Sequence, residues 1–367
     1  MNRELLKKHF EDMPLMQPID ALKLVFQHSF GCTHMSPYQK PARDALQREL
    51  DSVNPSPDVP VCTPIGAGLC RLNLASPRVN ALGENCISSM MQSTIFHVLK
   101  REHREFPGPG NELRYYGSLT DVEAMIRQGH TSFSLESWRE LLDWHQKNGR
   151  PAVSHSAEFR KAYDPHYRVV MEDCAALLPV IERMKTGQHQ AVVIDGPCGS
   201  GKSTLGEILR VVLEGMLIPM DDFFLPLHMR TQDRLSQPGG NIHHERFKEE
   251  ILDKFKVGEP LEYLRFDCQT GQMKEKAWPK RDMLVVEGSY SHHPVLRQAY
   301  SRLNPLRVYV DVTPEEQLRR LALRDPERLD MFHTRWIPLE KTYFEAYDIK
   351  DQADLVLMTQ PWLEDEM

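Results

Sequence analysis

Residues 191–204 read AVVIDGPCGSGKST: an apolar run of β type breaks into a glycine-rich turn and ends in Lys-Ser-Thr ahead of a helical pattern. A strand must here pass directly into a helix, and Gly196, Gly199 and Gly201 let the backbone between them bend so that successive N–H groups point inward. Such a turn, with the positive end of the next helix behind it, is a P-loop, a cradle for phosphate oxygens. Its expected nucleotide contacts are Gly196, Gly199, Ser200, Gly201, Lys202, Ser203 and Thr204. Lys202 would reach the β- and γ-phosphates of ATP, and the Ser203 hydroxyl would bind Mg²⁺. The plainer alternative is a glycine-rich turn with a solvated lysine; the strand and helix signals on either side weigh against it.

From this turn onward strands and helices alternate. Strands are expected at 191–195, 216–220, 282–286, 306–311 and 354–358, with helices at 202–213, 244–256, 293–302, 314–324 and 337–348. Alternation of this kind means a parallel sheet covered by helices, and near-continuous apolar runs such as AVVID, MLVVE and LRVYV suit strands buried on both faces. Between 261 and 278 a hairpin is expected, turning at Thr270-Gly271 and inserted where it can wall a second substrate.

The first part of the chain lacks that alternation. Helical stretches at 19–29, 37–53, 83–103, 119–128, 134–147 and 169–187 are separated by proline-bearing loops, NPSPDVPVCTP and EFPGPGNE. Pro179 should kink or divide the last of these helices. The expectation is an α/β chain of two domains: a mainly α-helical domain over 1–187 and a P-loop domain over 188–367. A length of 367 residues suits two cores better than one.

Charge narrows the partners. The net charge is −7, acidic and basic side chains are equal in number over residues 1–190, and the whole excess lies in 191–367. No basic tract is available to follow a long nucleic acid, so a small phosphate-bearing ligand fits better. No stretch has the unbroken apolar length of a membrane span, the first residues lack a secretory core, and the seven cysteines form no CxxC pair. Together these predict a cytoplasmic protein with reduced thiols and no membrane contact. Cys198 sits inside the P-loop, where the helix N-terminus could lower its pKa and make it oxidisable.

Two acidic positions follow strands at the edge where open α/β sheets bind ligands. Asp221 and Asp222 follow strand 216–220, where a carboxylate can take the proton of an attacking hydroxyl or hold Mg²⁺ through water; capping of a turn is the alternative. Glu287 follows strand 282–286 and can steady the water shell of the metal, so Ser203 and Glu287 are the candidate metal positions. Beyond strand 306–311, Arg319, Arg320, Arg324, Arg328 and Arg335 could form a lid that closes over phosphate, or a salt-bridged solvent face with Glu315 and Glu316.

The run MDDFFLPLHMRTQDRLSQPGGNIHHERFKEEIL, followed by RFDCQTG, LVVEGSYS and DVTPEEQLRRLALRD…RWIPLEKTYFEAYDIKDQADLVL, resembles the uridine kinase-like group of P-loop kinases across essentially all of 191–367. The resemblance implies the P-loop NTPase fold with a five-stranded parallel sheet, and an ATP:alcohol phosphotransferase of the nucleoside and nucleotide kinase type. It implies Asp221 as general base, Glu287 as the acid beside the metal, and Arg320 and Arg324 as lid arginines, with Lys202 completing the catalytic set. The acceptor, a small molecule with a nucleoside among the candidates, is expected against the hairpin and residues 221–247. Asp222, Phe224, His243, Arg265 and Phe266 are its candidate contacts. Two departures from the pattern bear on its identity: His243 stands where the family carries an aspartate that grips ribose hydroxyls, and Phe266 where a tyrosine helps hold the base. Phosphate transfer survives both changes, whereas uridine as acceptor does not follow.

In the first domain His28, Cys32 and His34, with His155 and His166, have spacings compatible with zinc, but without a CxxC or HExxH frame they read better as turn and core side chains. Arg160, Tyr163, Tyr167 and Arg168 could bind a second anion or pack against neighbouring structure. An alternative for the whole chain is a nucleotide-dependent switch whose helical domain binds a partner. The sequence leaves the oligomeric state open.

Overall fold

The computed structural model describes residues 1–37, 39–101, 107–268 and 270–359. Position 38 of the expected helix 37–53, positions 102 and 103 of the expected helix 83–103, position 269 of the expected hairpin and positions 360–367 of the expected second domain lie outside the described residues. The chain divides into two compact units, with the break between Ala175 and Ala176 rather than at 187/188. The helix Leu178–Met184 packs on a strand of the second unit, with Leu178, Val180, Ile181 and Met184 buried, and this carries the break toward the N-terminus.

In the first unit helices predominate. Pro18–Phe30 lies along Pro109–Arg127, and Leu22, Val25, Tyr115, Val122 and Trp138 are buried. The second of these helices begins well before the expected 119, because Pro109 occupies the first turn, where its missing N–H leaves no bond unmade. Sequence reading missed a three-stranded antiparallel sheet made of β1 (Cys62–Gly66), β2 (Leu69–Asn73) and β3 (Tyr167–Met171), with β2 in the middle. The expected helix 169–187 is therefore a correction. Its start is β3, paired Val169 to Arg71 and Met171 to Leu69, and its remainder is two short helices, Glu172–Ala176 and Leu178–Met184, divided next to Pro179.

The second unit contains the α/β architecture. β4 (Ala191–Asp195), β5 (Met216–Pro219), β8 (Leu284–Glu287), β9 (Leu306–Asp311) and β10 (Leu355–Met358) form a five-stranded parallel sheet in the order β10-β9-β4-β8-β5. β6 (Leu261–Asp267) and β7 (Gln272–Trp278) form the inserted antiparallel hairpin, with Asp267 opposite Gln272. All five residues of β4 and all four of β8 are buried, as covered parallel strands require. Val193, Ile218, Phe223, Phe247, Val286 and Tyr343 belong to one apolar cluster on the sheet.

β4 is central, with β8 and β5 on one side and β9 and β10 on the other. The chain winds first to one side and then to the other, so the crevice at the carboxyl end of β4 is the switch point at which such sheets bind ligands. Asp195, Pro219 and Glu287 end the strands that border it. The expected helices 244–256 and 293–302 are broken into shorter pieces, His244–Phe247 with a π-turn Lys248–Leu252, and Arg297–Tyr300 between two 3₁₀ turns.

Candidate active site

The turn after β4 has the strain its glycines are there to absorb. Gly196 has φ +144°, Gly199 +77° and Gly201 +96°. A Cβ at Gly196 would stand 2.2 Å from the Val310 carbonyl oxygen of β9, so the turn leaves the sheet where only glycine fits. Gly201 is then the left-handed residue ahead of the helix Lys202–Val212.

Side chains from outside the turn hold its carbonyls. Gln317 Nε2 donates to Cys198 O at 2.8 Å, Thr359 Oγ1 to Ser200 O at 3.0 Å, and Arg320 Nη1 to Gly199 O and Ser200 O at 3.3 and 3.2 Å. Arg320 Nε also bonds Glu316 at 2.6 Å. Arg320 thus clasps the turn by its backbone. Arg319 is in an ion pair with Glu316, Arg328 with Asp325, and Arg335 lies over the Trp336 ring. Arg324 is different: exposed, 5.6 Å over the Phe332 ring, it lowers the pKa of Asp221 by its charge.

Beneath the turn, Lys202 is buried and donates to Pro197 O at 2.8 Å, while Ser203 Oγ donates to Glu287 Oε2 at 3.1 Å. Glu287 can stand against the P-loop helix because Gly206 has no side chain: a Cβ there would meet Glu287 Cγ at 3.0 Å. Burial raises the Glu287 pKa to about 7; the charge of Asp221 adds to this, and Lys202 and the Ser203 bond oppose it. Asp221 is open to solvent but walled by protein on most sides. Desolvation pushes its pKa up, with Asp222 adding and Lys202 and Arg324 opposing. Lys202, Ser203, Asp221, Glu287 and Arg324 therefore share one electrostatic neighbourhood.

Asp222, whose charge reaches Asp221, has its own side chain engaged by the hairpin. Its carboxylate is buried, accepts from the Tyr263 hydroxyl at 2.6 Å and pairs with Lys276 at 3.2 Å, while Arg246 bonds its carbonyl at 2.7 Å. It ties the hairpin to the turn after β5. His243 caps the short helix His244–Phe247, with Nδ1 accepting from the Arg246 N–H at 3.2 Å. Phe266 is buried, Phe224 faces Trp336 with ring centres 5.9 Å apart, and Arg265 lies 3.9 Å from Asp267.

Three features escaped sequence reading. Asp195, fully buried at the end of β4, accepts from the N–H groups of Gly196, Tyr290 and His292 and from the Tyr343 hydroxyl, so it fixes the start of the P-loop. Its place at the end of an apolar run was the available signal. Glu340 accepts from the Cys198 N–H at 2.8 Å and the Ser289 hydroxyl at 2.6 Å. Cys268 shares a hydrogen bond with Arg230 and feels the charge of Asp221, which brings the hairpin tip to the acceptor side. The expectation of an activated Cys198 is overturned. Burial and the Glu340 carboxylate push its thiol up, beyond the pull of Lys202 and Arg324.

Among the described residues no three His, Cys, Asp or Glu side chains gather so as to hold a metal ion, and no helix is long and apolar enough to cross a membrane. His28 Nδ1 instead bonds Ile65 O at 2.9 Å, and Cys32 Sγ points to Met91 O at 3.8 Å.

No family model matches this chain, and no curated protein does. Among solved structures, it is similar to one described as a possible uridine kinase from Bacillus stearothermophilus, at 17% identity and a TM-score of 0.38, over 51% of this chain and 100% of the other. It is also similar to shikimate kinase from Bacteroides thetaiotaomicron, at 17% identity and a TM-score of 0.26, over 48% of this chain and 89% of the other.

Proposed function

We propose that the chain is an ATP-dependent phosphotransferase that moves a γ-phosphoryl group to a hydroxyl of a small, nucleoside-like metabolite. The observation that carries this reading is the meeting of Lys202 and Ser203, at the head of the P-loop helix, with the two carboxylates Asp221 and Glu287 from neighbouring strand ends. A nucleotide-binding switch has no need of the first of these.

The site fits Mg²⁺. The charge of Asp221 adds to burial in raising the Glu287 pKa, and the Ser203 hydroxyl lies on the Glu287 oxygen, a donor set suited to a hard divalent cation. Ser203 and Glu287 would hold the ion, Glu287 through water, and the ion would neutralise charge on the phosphates. Lys202 gives up Pro197 O for the β- and γ-phosphate oxygens. Asp221 accepts the proton of the acceptor hydroxyl while that oxygen bonds to the γ-phosphorus and the bond to the β–γ bridging oxygen breaks. The products are ADP and the phosphate monoester, and the proton passes from Asp221 to solvent. Positioning and neutralised charge supply the rate, with Arg324 closing from the lid side.

His243 is used as a helix cap and Phe266 as core, which supports an acceptor other than uridine. Cys268, which feels the charge of Asp221, and its partner Arg230 are better placed to meet it. The test is a metabolite screen for ADP release with the full chain. Acceptor-dependent release that disappears in Lys202→Ala is the expected result; slow hydrolysis indifferent to every acceptor would overturn the reading in favour of the switch.

A further inference from the structure

The helix Pro18–Phe30 turns Asp20, Lys23 and Gln27 to one face, at spacings of three and four residues. Opposite this face lies Arg71 of β2, 4% exposed. Its Nε and Nη2 donate to Gln27 Oε1 at 3.0 and 2.9 Å, and its guanidinium lies 4.6 Å over the Tyr167 ring. No carboxylate is within ion-pairing distance of it among the described residues. Asp20, the acid on this face, is fully buried and already engaged by His155 Nδ1 at 2.8 Å and by the Ser156 N–H and hydroxyl at 2.9 and 2.7 Å. His155 Nε2 then meets the Tyr167 hydroxyl at 2.6 Å, and Gln27 Nε2 donates to that hydroxyl at 3.2 Å.

This arrangement satisfies each neutral group but leaves a charge over. A guanidinium taken out of water with only an amide and a ring for partners is costly, and it is retained where something anionic visits. Lys23, half-buried, donates to the Val153 carbonyl at 3.0 Å and has no carboxylate partner among the described residues. Burial lowers its pKa, and the charges of Arg71 and Arg160 lower it further against the pull of Asp20, so Lys23 feels both other cations. Arg160 is exposed, Lys23 half-buried and Arg71 buried, a graded path from solvent inward.

We propose that Arg71, Lys23 and Arg160 receive a small dianion bearing a phosphate group, over a floor formed by Gln27, His155 and Tyr167. Three cations against one engaged carboxylate are balanced by a dianion rather than by a single carboxylate. Gln27 Oε1 holds the Nε–Nη2 edge of Arg71, which leaves Nη1 and the remaining Nη2 hydrogen as its donors to phosphate oxygens. Of the basic and aromatic residues that the sequence grouped here, Arg168 is committed to Glu49 at 2.6 Å and Tyr163 accepts from the Leu15 N–H, so neither belongs to the site.

The test is equilibrium dialysis of radiolabelled inorganic phosphate against the full chain, with circular dichroism on each variant. Because a P-loop also takes phosphate, each measurement is repeated with Lys202→Ala. Binding that survives Lys202→Ala, weakens about tenfold in Lys23→Gln and is lost in Arg71→Gln is the expected result, tenfold being the loss for one charge-assisted contact. Phosphate binding abolished by Lys202→Ala alone, or unchanged in Lys23→Gln, would overturn the proposal. Should Arg71→Gln not fold, Lys23→Gln and Arg160→Gln decide, since both positions reach solvent.

Discussion

Glu340 Oε2 accepts a hydrogen bond from the Cys198 N–H at 2.8 Å, so a carboxylate from the helix Ile337–Ala346 rests on the amide face of the P-loop. The other oxygen lies 2.6 Å from Ser289 Oγ, whose one hydrogen also has Gly196 O within reach at 3.0 Å. Burial pushes the Glu340 carboxyl up, while Lys202, Cys198 and Ser289 hold it down. The turn is thereby pre-shaped, but by a group whose negative charge opposes the phosphates it awaits. In Glu340→Gln the amide oxygen can keep the Cys198 N–H while the amide N–H turns to the Ser289 oxygen, whose one hydrogen then goes to Gly196 O, so stability should change by no more than about 1 kcal/mol. Removing the charge should tighten ADP binding, by about tenfold for an effect of 1.4 kcal/mol. Calorimetric titration with ADP and a thermal melt check the two expectations, and weaker ADP binding would mean that the charge assists the site.

Asp221 is expected to set the acidic limb of the rate profile. Its pKa is raised chiefly by desolvation, and a general base works only when ionised. Turnover should therefore rise with pH through a point above the ordinary carboxylate range, then level. Asp221→Asn should cost about 10²–10⁴-fold in kcat, the usual worth of a positioned base, with ATP affinity retained and the limb gone. Steady-state rates across pH check this, and an unmoved limb in the variant would assign it to another group.

Glu287 makes a prediction about stability. Its pKa is raised from 4.5 to about 7, so between those values the unfolded chain has lost the proton that the folded one keeps. Folding is then proton-coupled, and stability falls as pH rises through the window, by about 3 kcal/mol in full. Glu287→Gln should remove this slope and leave the nucleotide-free protein more stable at pH 7.5, while impairing the Mg²⁺ dependence of turnover. Denaturant melts at several pH values measure the slope. Adding Mg·ATP to the wild-type protein should release protons near pH 6.5, detectable as heats that vary with buffer ionisation.

What the sequence made legible follows from how local each signal was. β4, β8 and β9 were visible because strands covered on both faces need unbroken apolar runs, and Gly196 to Thr204 because phosphate binding needs small residues at fixed spacing. β3 was misread as helix because YRVVM is apolar and short, a run that either element can bury, and its partners Leu69–Asn73 lie far back in the chain. Asp222, by its place after a strand, and His243, by the family resemblance, read as acceptor contacts. Their partners, Tyr263, Lys276 and Arg246, come from elements whose placement no spacing discloses. Glu340 is 142 residues from Cys198, and although it lies in a run that carries the family resemblance, nothing in that run's spacing ties it to the turn after β4.

Gly196 offers the sharpest test of the turn itself. A methyl group there would overlap the Val310 carbonyl oxygen at 2.2 Å, in a backbone region that L-residues rarely enter. Neither β4 nor β9 can yield, because Ile194 pairs with Val308 and Asp195 with Tyr309 directly beside the contact. Gly196→Ala should cost about 3 kcal/mol or more through combined clash and strain, enough to deplete folded protein in a domain of ordinary stability. Gly199→Ala, whose nearest clashes are 3.3 Å from Gln317 O and the Leu321 side chain, should cost less and spare the fold while weakening ADP binding. The ordering of the two melting temperatures checks the argument: equal losses would mean that the sheet adjusts at Val310, and that the turn owes its shape to side-chain clasps such as Arg320 and Glu340 instead of to backbone contact.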